Sequence, residues 1–564
     1  MTNQILSNGT EDFILKYRAA AKVKLTREQL AAYLQMEPRS VLRKKQKIKQ
    51  HIGFDLPILK SDPQLALDKD TKDKFEAVLK TMADSILKAE KVNNVAQKTK
   101  INIQKNKVYV ITSAQNATPI FAPFLKTLER YSKEREAQLV VIPYRYKNPT
   151  SVWTEAKNDY WHADLVPYLL DEESKVGKHI RIMGNIKIQP TASSPLSGFE
   201  SVSGLDSAIF GHPTVEWKTI SSVADKSPKI LVSTGSVTVP NYTDSKAGHK
   251  GAYHHTYSAI VLEIDEDETF HIRQITANDK GHFYDLDVHY TQNTSTSGKR
   301  ALALVAGDIH AEVVSVDVVE ALFTGDNSVA ARLQPQHFVF HDLIDGSARS
   351  HHNIRDALGR YRKHLYNDNN NVEESMQIVA NFIESVSRPN TQNHIVKSNH
   401  DEHIDRWLRE ADPAVDPENA KFYHYLKYHQ YRSVYENTHF DAIKFWCENP
   451  DEFDGMDPDV FERTHFLTRN ENFEIGGIEL SLHGDVGPNG SRGSLKSLAR
   501  MGQKLIIGHS HTPGISNGSY QVGTTSKLRL DYNKGPSSWL NTAAIVYPDG
   551  NVTLINVING KWNL

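Results

Sequence analysis

Residues 301–312 read ALALVAGDIHAE, an apolar run that stops abruptly at Asp308 and His310. A short continuous apolar stretch predicts a strand buried on both faces of a sheet. Polar side chains at its end then fall where α/β proteins gather their sites. Two residues apart on an extended chain, Asp308 and His310 project to the same side and can face one ligand together. The pattern recurs four times. HFVFHDLIDG (337–346) ends in Asp342 and Asp345, and NHIVKSNHDEH (393–403) in Asn399, His400 and Asp401. IELSLHGD (478–485) ends in His483 and Asp485, and KLIIGHSHTPG (504–514) in His509 and His511. Any one pair would be an ordinary polar strand end. Five of them predict an α/β sheet whose strand tips converge on one polar site.

The mixture of imidazole and carboxylate suits borderline divalent cations, and an Asp with two oxygens can bridge two ions about 4 Å apart. Such a pair lowers the pKa of a water they share and clamps phosphoryl oxygens for in-line attack. Metal-assisted phosphate-ester hydrolysis is the chemistry this pattern predicts.

In chain order GDIH, HDLID, SNHDE, LHGD and GHSH resemble the motif series of the calcineurin-like metallophosphoesterases: DxH, GDxxD, GNHD or GNHE, an isolated His, then GHxH. The resemblance covers about residues 300 to 530. It departs at His341 and Ser398, where the family has glycine, which touches the turns rather than the ligands. The resemblance implies a βαββ-type two-layer sandwich with helices outside, holding two divalent metal ions, manganese first, with magnesium or another divalent ion as alternatives. It implies that Asp308, His310 and His511 hold one ion, that Asn399, His483 and His509 hold the other, and that Asp342 bridges them. His400 takes the family's position for stabilising or protonating the leaving oxygen, with Asp401 orienting its imidazole. Asp345 stands behind the ligands as their partner. Arg492, in the loop GPNGSRGS (487–494), is either a substrate-phosphate contact or an ordinary exposed arginine.

Working outward, residues 404–470 form an insertion in which KFYHYLKYHQYRSVYENTHFDAIKFW (421–446) interleaves aromatic and basic residues. Tyr428, Tyr431 and Tyr435 share a helical face, with Lys427 and Arg432 beside them. They either stack on bases of single-stranded DNA or pack on the core. The polar stretch NTSTSGKR (293–300) places a boundary before 301. Residues 101–300 read as an α/β and β-rich middle domain. KVYVITSA (107–114), FAPFLKTLERYSKE (121–134) and QLVVIPYRY (138–146) predict a strand–helix–strand unit without a Gly-rich phosphate loop. Further on, the loop 238–259 carries His249, Lys250, His254 and His255 and reads as a polar hairpin or a substrate-facing loop.

Residues 1–60 are basic and helical in pattern, followed by a helical connector at 61–100. LTREQLAAYL (25–34) has helical spacing and a capping-box pair, Thr26 and Gln29. After QMEPRS, the stretch SVLRKKQKIKQ (40–50) is densely basic, which is the order of a helix-turn-helix. Arg39, Arg43, Lys44 and Lys47 are the candidate contacts to a DNA backbone. The competing reading is a solvated helix or a subunit contact.

With 66 basic and 68 acidic residues the formal charge is -2, so nucleic-acid affinity must come from local patches. Cys447 is the single cysteine, which excludes an internal disulfide framework and a thiolate metal cluster. The start lacks the pattern of a secretory signal, and no window approaches 18 uninterrupted apolar residues. The expectation is a cytoplasmic protein with DNA as its partner and no membrane, with self-association left open. The overall arrangement also resembles the pre-early DNA-degrading nucleases of T-five-like tailed phages. That resemblance implies a manganese- or magnesium-dependent DNase in the infected bacterial cytoplasm. The alternatives are a phosphatase or phosphodiesterase for small nucleotides, and a DNA-binding regulator with an inactive phosphoesterase fold.

Overall fold

Ala303–Val305, from the opening apolar run, forms a short strand inside a six-stranded sheet ordered Thr464–Phe466, Gln392–Val396, His337–His341, Ala303–Val305, Thr542–Val546, Val552–Asn556. The first four strands run parallel and the last two antiparallel. The computed structural model describes residues 10–52, 56–63, 65–80, 103, 107–146, 161–223, 226–346, 349, 356–359, 361, 370–448, 455–530 and 533–563. The connector segment 81–100, and His351 and His352, lie outside them.

Alternation along the central strands decides what covers each face. Leu304, Phe338, Phe340 and Ile395 point to one side, where they pack with Met376, Val379 and Ile383 of the helix Val372–Val386 and with Trp407 and Leu408. Ala303, Val305, Val339 and Val396 point to the other side, against Trp217, Ile506, Ile515 and Val522 of an eight-stranded sheet. Burying each such large apolar side chain stabilises the sheet by about 1.5–3 kcal/mol. Both faces are covered, which is why these strands read as continuous apolar runs.

The eight-stranded sheet draws on both halves of the chain. Its strand Gly514–Ser516 pairs antiparallel with Trp217–Ile220, Ile515 opposite Trp217. The sheet therefore crosses the boundary placed at residue 300. A third, four-stranded sheet contains the expected strand–helix–strand unit: Val108–Gln115 and Gln138–Tyr144 pair in parallel across the helix Ala122–Glu134. Its edge strand Phe270–Thr276 abuts Val552–Asn556. There Gln274 Nε2 donates to the Val552 carbonyl at 2.8 Å and Thr553 Oγ1 donates to the Gln274 carbonyl at 2.9 Å. The result is one mixed α/β assembly in which the middle region is joined to the C-terminal half by shared strands and shared core.

The N-terminal helices Thr10–Lys22, Arg27–Tyr33 and Pro38–Ile52 enclose their own small core around Phe13, Leu30, Val41 and Phe75. The Thr26–Gln29 capping box is present in both directions. Arg39 and Arg43 are exposed, whereas Lys44 lies half-buried with its Nζ 5.0 Å from the Phe13 ring. Three residues on from buried Val41, Lys44 lays its stem along the core instead of projecting outward. The side chain of Lys47 lies outside the described residues.

Candidate metal centre

Five chain segments bring their polar tips together, four following strands of the paired sheets and the fifth, carrying His483, following Ile478–Glu479 of a small two-stranded sheet. The crossing is tight enough to strain the backbone. His310, Asp342, His509 and His511 have φ of 48°, 48°, 74° and 57°, a left-handed conformation that non-glycine residues rarely adopt and that collects at functional sites. Gly508 is required by close approach: a Cβ there would collide with Asp308 Oδ1, which accepts a hydrogen bond from the His509 N–H at 3.0 Å.

Asp308, His310, Asp342 and His511 form one buried group whose potential ligand atoms lie within 4.8 Å of one another, and Asp342, His483 and His509 form a second. Asp342 belongs to both. His511 Nε2 is 3.1 Å from Asp308 Oδ2, and His483 Nε2 is 3.2 Å from Asp342 Oδ2. The Nε2 atoms of His310 and His511 face each other at 3.0 Å. Asp342 Oδ1 and Asn399 Oδ1 are buried without a hydrogen-bond partner. A buried carboxylate or amide oxygen left unpaired is expensive. Converging imidazoles and orphaned oxygens are the donor set of a cation site, so these residues fit divalent metal ions.

Electrostatics agree. Against burial, which would raise it, His483 and His400 hold Asp342 well below the usual carboxylate range. Against burial in turn, Asp342 and Asp308 push His483 up to about 9. These contacts favour the ionised form of Asp342 and draw positive charge into the pocket.

His400 sits at the rim with its ring 4.6 Å from that of His310 and 4.8 Å from that of His403. Its Nδ1–H donates to the Asp345 carbonyl at 2.8 Å, which leaves Nε2 for other partners. The orienting group is thus that carbonyl and not the Asp401 carboxylate. Asp401 opens the helix Asp401–Glu410 and is turned inward, where its carboxylate accepts from the Ser398 and Ile344 N–H groups at 3.1 and 3.5 Å. Ser398 Oγ accepts from the Asp401 N–H at 3.1 Å, completing a reciprocal pair of capping-box form and giving the serine in place of glycine a purpose. His341, the other departure, is the last residue of an extended strand, so no glycine is needed there. Asp345 Oδ1 is 3.5 Å from His310 Nδ1, behind the first cluster.

Arg492 is exposed on the loop after His483. Three groups at the site carried no motif. Glu312, half-buried, with its pKa pushed up to about 7 by desolvation and by Asp345, accepts from the Asp345 and Gly346 N–H groups at 2.6 and 3.2 Å. Arg469 grips Asp485 through both terminal nitrogens at 2.8 and 2.9 Å and Glu402 through Nε at 2.8 Å, tying two site loops together. Trp539 packs on His511 with ring centres 4.0 Å apart. For Glu312 only its spacing two residues after His310 could have pointed to it. Of the polar loop at 238–259, His255 is half-buried, accepting from Tyr242 O–H and donating to the Thr238 carbonyl, both at 2.8 Å. His249 pairs with Asp244.

The fold and this site define an α/β protein with buried His/Asp clusters that could hold metal ions. The chain is 32% identical to Protein A1 of Escherichia phage T5 over 475 residues, which cover 82% of this chain and 83% of that protein. It belongs to the family of that phage protein. No family model matches the chain, and no solved structure matches it. Among the described residues, no helix is long and apolar enough to cross a membrane.

Proposed function

We propose that the chain is a two-metal phosphodiesterase that hydrolyses DNA, a nuclease built on the calcineurin-like phosphoesterase sandwich and acting in the bacterial cytoplasm during phage infection. The observation that carries the reading is the sharing of Asp342 by two buried ligand groups. Asp308, His310 and His511 would hold one ion, and Asn399, His483 and His509 the other, with manganese or magnesium as the candidates. When bound, the cations supply an acidified water and neutralise charge on the phosphodiester.

The protein's own groups divide the remaining work. Asp342 and Asp308 supply negative charge at the centre of a dry pocket. His400, held through Nδ1 by the Asp345 carbonyl, presents Nε2 toward the rim. Against burial, Asp342 and the Asp345 carbonyl raise its pKa, which favours the protonated form that can deliver a proton to a leaving oxygen. Arg469 fixes the Asp485 loop relative to the helix that follows His400. DNA is preferred over a small nucleotide because Arg39 and Arg43 stand exposed on the N-terminal basic helix, and because the relative is a phage protein.

The test is incubation of the purified chain with manganese and linear or circular DNA, in parallel with a small chromogenic phosphodiester. Cleavage of both supports the nuclease. Cleavage of the small diester alone refutes DNA as substrate, and cleavage of neither refutes the phosphoesterase.

A further inference from the structure

The helix Pro417–Tyr435 buries one face, formed by Asn419, Phe422, Tyr423, Leu426 and Ser433. The opposite face does something unusual for a surface helix. Tyr428, Tyr431 and Tyr435 are 62%, 65% and 96% exposed, so they do not pack on the core. At about 100° per residue, Lys421, His424, Tyr428, Tyr431, Arg432 and Tyr435 fall within one face about 120° wide. Within the helix no carboxylate shares that face: Glu418 and Glu436 lie on its flank, and Glu373 of the neighbouring helix interacts with Lys421. Lys427, at the edge of the face and half-buried, has its Nζ 5.3 Å from the Tyr431 ring centre and donates to the Leu408 carbonyl at 2.8 Å and to Gln430 Oε1 at 3.0 Å. Arg432 forms an exposed pair with Glu436, which contributes little.

We infer that this face is a docking strip for an unpaired DNA strand, with bases stacked on the three tyrosines and backbone phosphates met by Lys421, Lys427 and Arg432. Stacking on exposed rings beside cations is how single strands are held without sequence preference. From Tyr428 to Tyr435 the strip runs about 10 Å along the helix. Six residue steps, at most about 22 Å of chain, lead from Tyr435 to Asp441. The Asp441 carboxylate lies 2.8 Å from Lys397 Nζ, two residues before Asn399. The strip thus ends close enough to the metal centre for one strand of several nucleotides to touch both. A second copy of the chain is the poorer occupant, because an isologous contact would set the cations of this face against one another. The inference rests on the reading of the chain as a DNA phosphodiesterase.

The experiment uses the full chain in EDTA and a fluorescent oligothymidylate, with three proteins: wild type, Y428A/Y431A/Y435A and Y428F/Y431F/Y435F. The alanine variant should bind at least tenfold more weakly, and the phenylalanine variant within threefold of wild type, since the ring face and not the hydroxyl makes the contact. An alanine variant within twofold of wild type overturns the strip, and so does a phenylalanine variant as weak as the alanine one. Light scattering is run alongside: a wild-type oligomer that the alanine substitutions dissociate assigns the face to a second copy and overturns the inference. Hydrolysis of a chromogenic diester by the wild type with manganese is scored separately. Its failure beside tyrosine-dependent binding removes the catalytic reading and keeps the strip.

Discussion

Asp342→Asn is the substitution that most directly tests a shared carboxylate. The side chain is fully buried, has one oxygen 3.2 Å from His483 Nε2 and 3.7 Å from His310 Nε2, and leaves the other without a hydrogen bond. A cation held only by the native state at 100 times its Kd adds about 2.7 kcal/mol of stability, so two sites add about 5 kcal/mol. Changing a partner behind the ligands usually weakens a metal site 10–100-fold, and removing a ligand charge common to two sites should exceed that. A 100-fold loss at each site reduces the increment to about 0.4 kcal/mol per site, under about 1 kcal/mol in all. Thermal unfolding with and without manganese, and metal content after desalting, provide the assay. Wild type should hold two ions per chain and melt several degrees higher with manganese. The variant should hold at most one ion and gain about a degree. The metal-free variant is the control, because losing the charge partner of His483 costs about 1–3 kcal/mol by itself. Two retained ions with an undiminished manganese increment would refute the bridging role.

His400→Ala should leave both ions bound while DNA hydrolysis falls roughly 10²–10⁴-fold; metal content and rate are measured on one preparation, and an unchanged rate removes His400 from proton transfer. Arg273→Met removes the buried cation between Asp285 at 2.6 Å and Glu263 at 2.8 Å, leaving them Tyr131 and Arg135 as partners, and should destabilise the chain by about 3 kcal/mol in denaturant titration at pH 7. Against burial, Arg273 holds both acids below their usual range, so their contribution is complete above the unfolded carboxylate pKa of about 4 and is lost as pH falls through the lower folded values. The gap between wild type and variant should therefore narrow on acidification, and a gap independent of pH would contradict that account. Replacing Arg39 and Arg43 by Ala should lower the slope of log binding constant against log salt by about two if both meet phosphates; an unchanged slope assigns the N-terminal helices to something other than DNA.

Much of the His/Asp cluster was legible because most of its residues follow strands whose burial on both faces makes them continuous apolar runs, so the break to polar residues marks each tip. The Thr26–Gln29 cap was legible for a similar reason, being a local bond between residues three apart. Asp401 was misread because sequence adjacency to His400 says nothing of direction. At the first turn of a helix its carboxylate turns back to the Ser398 N–H, while the imidazole finds a carbonyl 55 residues away in the chain. Arg469 and Trp539 carried no signal, since their roles arise from contacts between segments with no common pattern.

The tyrosines show the limit most clearly. Spacing placed them on one helical face, but packing and stacking both remained open, because periodicity defines faces without saying which face meets the core. Contact with Trp446 and Phe445 turns Phe422 and His429 inward and leaves Tyr428, Tyr431 and Tyr435 to solvent. Residue order alone determined the strand tips, the kinds of ligand and their succession, which are properties of local backbone and side-chain chemistry. Only the tertiary structure decided that Asp342 lies in both clusters, that the eight-stranded sheet joins Ile515 to Trp217 across the two halves, and which way each polar tip points. Those outcomes depend on the crossing of distant strands, and nothing local to either strand encodes them.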